Sequence, residues 1–105
     1  MEKPNLKLIK EISDNNLDFE TNLLQILKKE FKEEVEAYHF NFELKNYNEV
    51  SQSIHKLKHK ISLLGLEKGE EIASIFEKKI IDGNTNCKSE FEKVLHKIHV
   101  YLYTK

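Results

Sequence analysis

The pattern that most restricts how this chain can fold is the apolar series Val50, Ile54, Leu57, Ile61 and Leu64, whose spacings run four, three, four and three. A helix turning about 100° per residue gathers these positions on one side, whereas a strand would divide them between two faces. The same period recurs along most of the chain. Leu6, Leu8, Ile9 and Ile12 predict a short helix over Asn5 to Ile12, just after Pro4, with Asp14-Asn15-Asn16 breaking it. Asp18 reads as the N-cap of a long helix carrying Phe19, Leu23, Ile26, Leu27, Phe31, Val35, Tyr38 and Phe42 on its stripe and ending near Lys45. Asn46 with Glu49 three residues on predicts a variant capping box for the helix that starts near Tyr47 and stops at Gly65. Ile72, Ile75, Phe76, Lys79 and Ile80 predict another, halted by Asp82-Gly83-Asn84-Thr85. In the last helix Phe91, Val94, Leu95, Ile98 and Leu102 form the inward face, with Glu90, Lys93 and Lys97 in water. No strand-like alternation competes. The expectation is all-α, an up-and-down four-helix bundle with a short additional N-terminal helix.

A chain of 105 residues is the size of one domain with a modest core, so residues 1–105 are read as a single unit. The net charge of −1 supplies no global field for nucleic acid or an anionic membrane, while 33% charged residues provide well-solvated outer faces. Every basic residue is a lysine, so the bidentate guanidinium that reads guanine or phosphate is missing, which argues against nucleic acid as a partner. Cys87 is the only cysteine; it excludes an intramolecular disulfide and a thiolate-rich metal site, fits a reducing cytosol, and reads as a small half-buried residue at a helix start. No stretch approaches the roughly 18–20 apolar residues of a membrane span. A soluble, unexported, cytoplasmic protein is predicted. A glycine-rich phosphate loop is lacking, and no cofactor or bound nucleotide is inferred.

His55 lies off the apolar stripe. With His59 and Ser62 it projects well away from the stripe's centre, while Lys58, three residues after His55, lies on the flank within side-chain reach. This run resembles the signature of histidine-containing phosphotransfer (HPt) domains, a His-x-Leu-Lys-Gly run followed by small residues and a Leu/Ile-Gly pair. The matching residues are His55, Leu57, Lys58, Leu64 and Gly65. One position departs: His59 stands where the family has glycine.

The resemblance implies that His55 accepts a phosphoryl group from an aspartyl phosphate on a receiver domain, of a response regulator or hybrid histidine kinase, and passes it to another receiver's aspartate. Lys58 would stabilise the transferring group, and Lys56, His59, Ser62 and Leu63 would belong to the partner-binding surface. It also implies a carrier without kinase activity, monomeric, with the magnesium ion on the receiver; the chain holds no acidic cluster beside the motif. A neutral imidazole is a good nucleophile near pH 7, and the charges of Lys56, Lys58 and Lys60 are expected to favour that form. A unit that begins at Met1 and ends soon after its last helix is expected of a free-standing shuttle, and a domain cut from a larger protein would read the same way. Two other readings stay open: an adaptor that binds receivers without accepting phosphate, with His59 as the obstruction, and a metal site on His55 and His59, which two ligands and the surrounding lysines disfavour. His39, His96 and His99 carry no pattern and read as solvated bystanders.

Overall fold

The structure is a computed structural model that describes residues 2–103. It contains α1 (Lys7–Ser13), α2 (Leu17–Glu43), α3 (Tyr47–Leu63), α4 (Glu67–Lys79), a single 3-10 turn (Ile80–Asp82) and α5 (Lys88–Tyr103). Helices alone make up the regular structure of the described residues, so the all-α bundle with a short first helix is the observed architecture. Among the described residues no helix is long and apolar enough to cross a membrane.

Neighbouring helices run antiparallel, as their cross-contacts require. Phe42 near the end of α2 meets Tyr47 at the start of α3, with ring centroids 5.9 Å apart, and Lys60 near the end of α3 reaches back to Glu30 and Glu34 of α2. α3 and α4 fold against each other about Gly65, and α5 returns along α4 so that Phe91 meets Phe76 at 5.4 Å. Large side chains close the seam between α2 and α5. Tyr38, fully buried, tilts against Phe91 and donates its hydroxyl to Glu92 Oε2 at 2.9 Å, while the Tyr103 hydroxyl donates to the Lys28 carbonyl at 2.7 Å. Burial first, then the neighbouring Glu92 charge, pushes the Tyr38 phenol well above the usual tyrosine range, so it remains a donor.

The predicted stripes form the core. Val50, Ile54, Leu57, Ile61 and Leu64 are all fully buried, and Phe91, Val94, Leu95, Ile98 and Leu102 line the inner face of α5. Burying one such aliphatic side chain stabilises the fold by about 1.5–3 kcal/mol. In α2 the stripe is only partly realised: Leu27, Phe31 and Tyr38 are buried, Leu23, Val35 and Phe42 half-buried, but Phe19 and Ile26 are exposed. Length explains Phe19, while Ile26 lies about 120° around the helix from the face of Leu27, Phe31 and Tyr38. α2 has 27 residues against 17 in α3 and 16 in α5, and the partners of Lys60 and Tyr103 place the far ends of those helices level with residues 28–34. The first turns of α2 therefore overhang the four-helix core, and α1, anchored by buried Ile9, packs against α2.

Two cap assignments change. Asn16, not Asp18, caps α2: its side chain accepts from Phe19 N at 3.0 Å, and Asp18 sits in the first turn, where a negative charge still complements the helix dipole. Asn46 makes no side-chain cap bond to α3, so no capping box forms with Glu49. Its role is at the end of α2, where Lys45 takes a left-handed φ of 58°, Lys45 N donates to the Phe42 carbonyl and Asn46 N to that of Asn41, a Schellman closure. Gly65 (φ 78°) closes α3 in the same way, through Gly65 N to Ser62 O and Leu66 N to Ile61 O, and so sets the tight return into α4. Glu90 and Lys93 are exposed as expected, but Lys97 is half-buried, its ammonium 3.5 Å from the Glu2 carbonyl. Cys87 is free and half-buried just before α5.

Candidate functional site

The stripe that buries one side of α3 fixes what its other side presents. With Ile54, Leu57 and Ile61 locked in the core, His55 and His59 point outward one turn apart, the His55 side chain 55% exposed. Their rings meet edge-on, with centroids 5.0 Å apart and planes at 87°, and the two Nε2 atoms lie 3.4 Å from each other.

The antiparallel return at Gly65 adds a residue that the motif alone does not contain. Glu77 of α4 lies between His55 and Lys58: its Oε2 is 3.0 Å from His55 Nδ1 and its Oε1 2.6 Å from Lys58 Nζ. Ser51, one turn before His55 on α3, donates its hydroxyl to the Glu77 carbonyl at 2.6 Å and pins the two helices together at this level. Burial pushes the Glu77 carboxyl up, but the hydrogen bonds and charges of Lys58 and His55 outweigh it and hold the carboxyl below its ordinary range. An ionised carboxylate can only accept, so His55 carries its proton on Nδ1 when neutral and keeps the lone pair on Nε2, the atom that stands 3.4 Å from His59 Nε2.

The charge around His55 differs from the lysine-rich field predicted. Lys58 is neutralised by Glu77, and Lys60 turns to the opposite side of α3, onto Glu30 and Glu34 at 3.0 Å each. Burial works against the Lys60 charge, yet its hydrogen bonds to Glu34 and Glu30 prevail and hold the ammonium above the ordinary lysine range. Lys56 is exposed. Of the three lysines, two are thus spent on carboxylates from neighbouring helices.

The structure brings together His55, Lys58 and His59 and adds Glu77. Of the other three residues assigned to a partner surface, Lys56 is exposed, while Ser62 and Leu63 are half-buried. Leu63 is half-buried against the core rather than turned outward, because α3 ends there and the chain folds back over it. Ser62 is half-buried and lines a shallow polar depression with Asn5, Leu8 and Glu67. Glu77 could have been anticipated from the turn: in an antiparallel helix pair folded about Gly65, residues about ten before it face residues about ten after it, the geometry that also sets Gly69 against Ile61.

Among the described residues no group of three or more His, Cys, Asp or Glu side chains is arranged to hold a metal ion. What the arrangement offers is an outward imidazole nitrogen with a lone pair, backed by a carboxylate that can stabilise positive charge on the ring, and an ammonium one turn away. Comparison with known proteins identifies no relative: no family model, no curated protein and no solved structure matches this chain.

Proposed function

We propose that this bundle is a histidine phosphotransfer protein, in which His55 accepts a phosphoryl group from a receiver-domain aspartyl phosphate and passes it to another receiver. The observation that carries the reading is the His55 Nδ1 contact to Glu77 Oε2 at 3.0 Å on an exposed helix face, which readies Nε2 as a nucleophile. In the transfer, Nε2 attacks phosphorus in line, the N–P bond forms as the acyl-phosphate O–P bond breaks, and the donor's aspartate leaves as a carboxylate. The ring gains positive charge in that step. Glu77 stabilises it through Nδ1–H, in a position fixed before the partner arrives.

Lys58 has a double part in this scheme. At rest its ammonium is on Glu77 Oε1, and from there one turn of helix separates it from His55. When a phosphoryl group adds to His55, Lys58 swings from the carboxylate to the phosphoryl oxygens. His59, whose Nε2 stands 3.4 Å from that of His55, lies across the approach and rotates aside as the partner docks. The receiver brings the magnesium ion; this chain supplies the acceptor, its orientation and its charge balance. Action in the cytoplasm, as a monomer, belongs to the same proposal.

The test is phosphoryl transfer from a phosphorylated receiver domain to the purified protein. Wild type should acquire an acid-labile, base-stable adduct, and His55→Gln should acquire none while keeping its helical circular dichroism. Labelling retained in His55→Gln refutes the assignment. Receiver binding without labelling of wild type would identify a non-transferring adaptor instead, with His59 as the block.

A further inference from the structure

We propose that His55 and His59 form a two-imidazole chelate for a borderline divalent transition-metal ion, with Zn2+ as the probe ion, and that the bound metal blocks phosphoryl acceptance. The binding claim stands on the geometry alone; the blocking claim rests on the phosphocarrier reading.

The distance between the two nitrogens is the first argument. At 3.4 Å the His55 Nε2 to His59 Nε2 separation is long for a hydrogen bond. It matches a chelate: two Zn–N bonds of about 2.05 Å at a tetrahedral angle hold their nitrogens about 3.3 Å apart. The i, i+4 spacing on one helix face keeps both rings at this separation without any movement of the backbone.

The second argument is the support behind His55. Its Nδ1 rests on Glu77 Oε2, the carboxylate–imidazole pairing that orients a metal-binding histidine and makes its free nitrogen a better donor. Binding needs the other ring in the same form, with the proton on Nδ1 of His59, which its exposure permits. The third argument is charge. The lysines that would repel a cation are largely answered, Lys58 by Glu77 and Lys60 by Glu30 and Glu34, which leaves exposed Lys56 as the nearby cation on α3. With no third protein ligand among the described residues, water completes the coordination. Two nitrogen donors select Zn2+ or Cu2+ over Mg2+ and Ca2+, which prefer oxygen. The consequence follows from one lone pair: the Nε2 electrons that coordinate the metal are those that would attack phosphorus, so the two events exclude each other.

The experiment is calorimetric titration of the purified protein with Zn2+, for wild type, His59→Gln, His55→Gln, Glu77→Gln and a His39→Gln/His96→Gln/His99→Gln control. One Zn2+ per chain is expected, at least about tenfold weaker in either single histidine variant, about 10- to 100-fold weaker in Glu77→Gln, and unchanged in the control. Unsaturable binding by wild type, or binding that His59→Gln leaves intact, overturns the site. Labelling by a phosphorylated receiver, with and without Zn2+, then tests the consequence: inhibition in wild type but not in His59→Gln supports it, and equal inhibition of both overturns it. Absence of labelling in the metal-free protein counts against the phosphocarrier reading and leaves the calorimetric result to decide the site.

Discussion

Replacing Glu77 by glutamine isolates the contribution of the α4 carboxylate that bridges His55 and Lys58. The side chain keeps its shape, but its amide oxygen can accept from only one of the two donors that now share the carboxylate, and its NH2 group faces the other. One charge-assisted contact is lost, and Lys58, only 20% exposed, is left without its counter-charge. A hydrogen bond to a charged group contributes about 1.5–3 kcal/mol, and the partial exposure of Lys58 and His55 reduces this to about 1–2 kcal/mol. For a protein of this size each kcal/mol moves Tm by about 4–8 °C, so Glu77→Gln should melt roughly 4–16 °C below wild type at pH 7. The difference has a definite pH dependence. The Glu77 carboxyl is held below its ordinary value of 4.5 in the folded protein, so the stability it contributes is fully present above that value and is lost as pH falls through the depressed folded value. Circular-dichroism melts of both proteins, run with a chelator present, should therefore differ at neutral pH and converge in acid. Equal melting temperatures at pH 7, or a gap that persists where Glu77 is protonated in both folded and unfolded chains, would refute the reasoning.

Other consequences are as direct. Gly69→Ala should destabilise although alanine is worth about 1 kcal/mol more in a helix interior, because the added carbon would come within 2.9 Å of Val94 Cγ1 and 3.0 Å of Ile61 Cγ2, both buried and β-branched; overpacking costs about 1–3 kcal/mol, and a raised Tm would contradict it. Asn16→Ala should cost about 1 kcal/mol in chemical denaturation, more than Asp18→Ala, since only Asn16 bonds a free backbone N–H of α2. Lys58→Ala should slow phosphoryl transfer while the helical spectrum is retained, and His59→Gly should preserve or quicken it by clearing the approach to Nε2; labelling that disappears in His59→Gly would place the acceptor elsewhere.

Where one helix carries all the information, the reading of the chain holds residue by residue. The stripe from Val50 to Leu64 is buried without exception, and the left-handed Gly65 ends α3 where glycine is needed. Errors enter wherever a second helix decides. Phe19 is exposed in the first turn of α2, which overhangs the ends of α3 and α5, and Ile26 is exposed on the flank of the face that carries buried Leu27. Lys60 is close to His55 in sequence but about 140° around the helix from it, and there it pairs with Glu30 and Glu34 of α2. Leu63 projects outward on an ideal helix, but α3 stops there and the fold-back covers it. Asn46 has the chemistry of an N-cap and instead takes part in closing the preceding helix.

The order of the helices, the positions of their breaks and the exposure of His55 and His59 were determined by the sequence, because a rotation of about 100° per residue converts spacing into facing with no reference to the rest of the molecule. The Glu77 bridge to His55 and Lys58, the 3.4 Å approach of the two imidazoles and the partial uncovering of α2 were decided only by the tertiary structure. Each depends on the register of one helix against another or on the side-chain rotamers that register permits. Those are set by how the buried side chains interlock across the interface, and no local period encodes them.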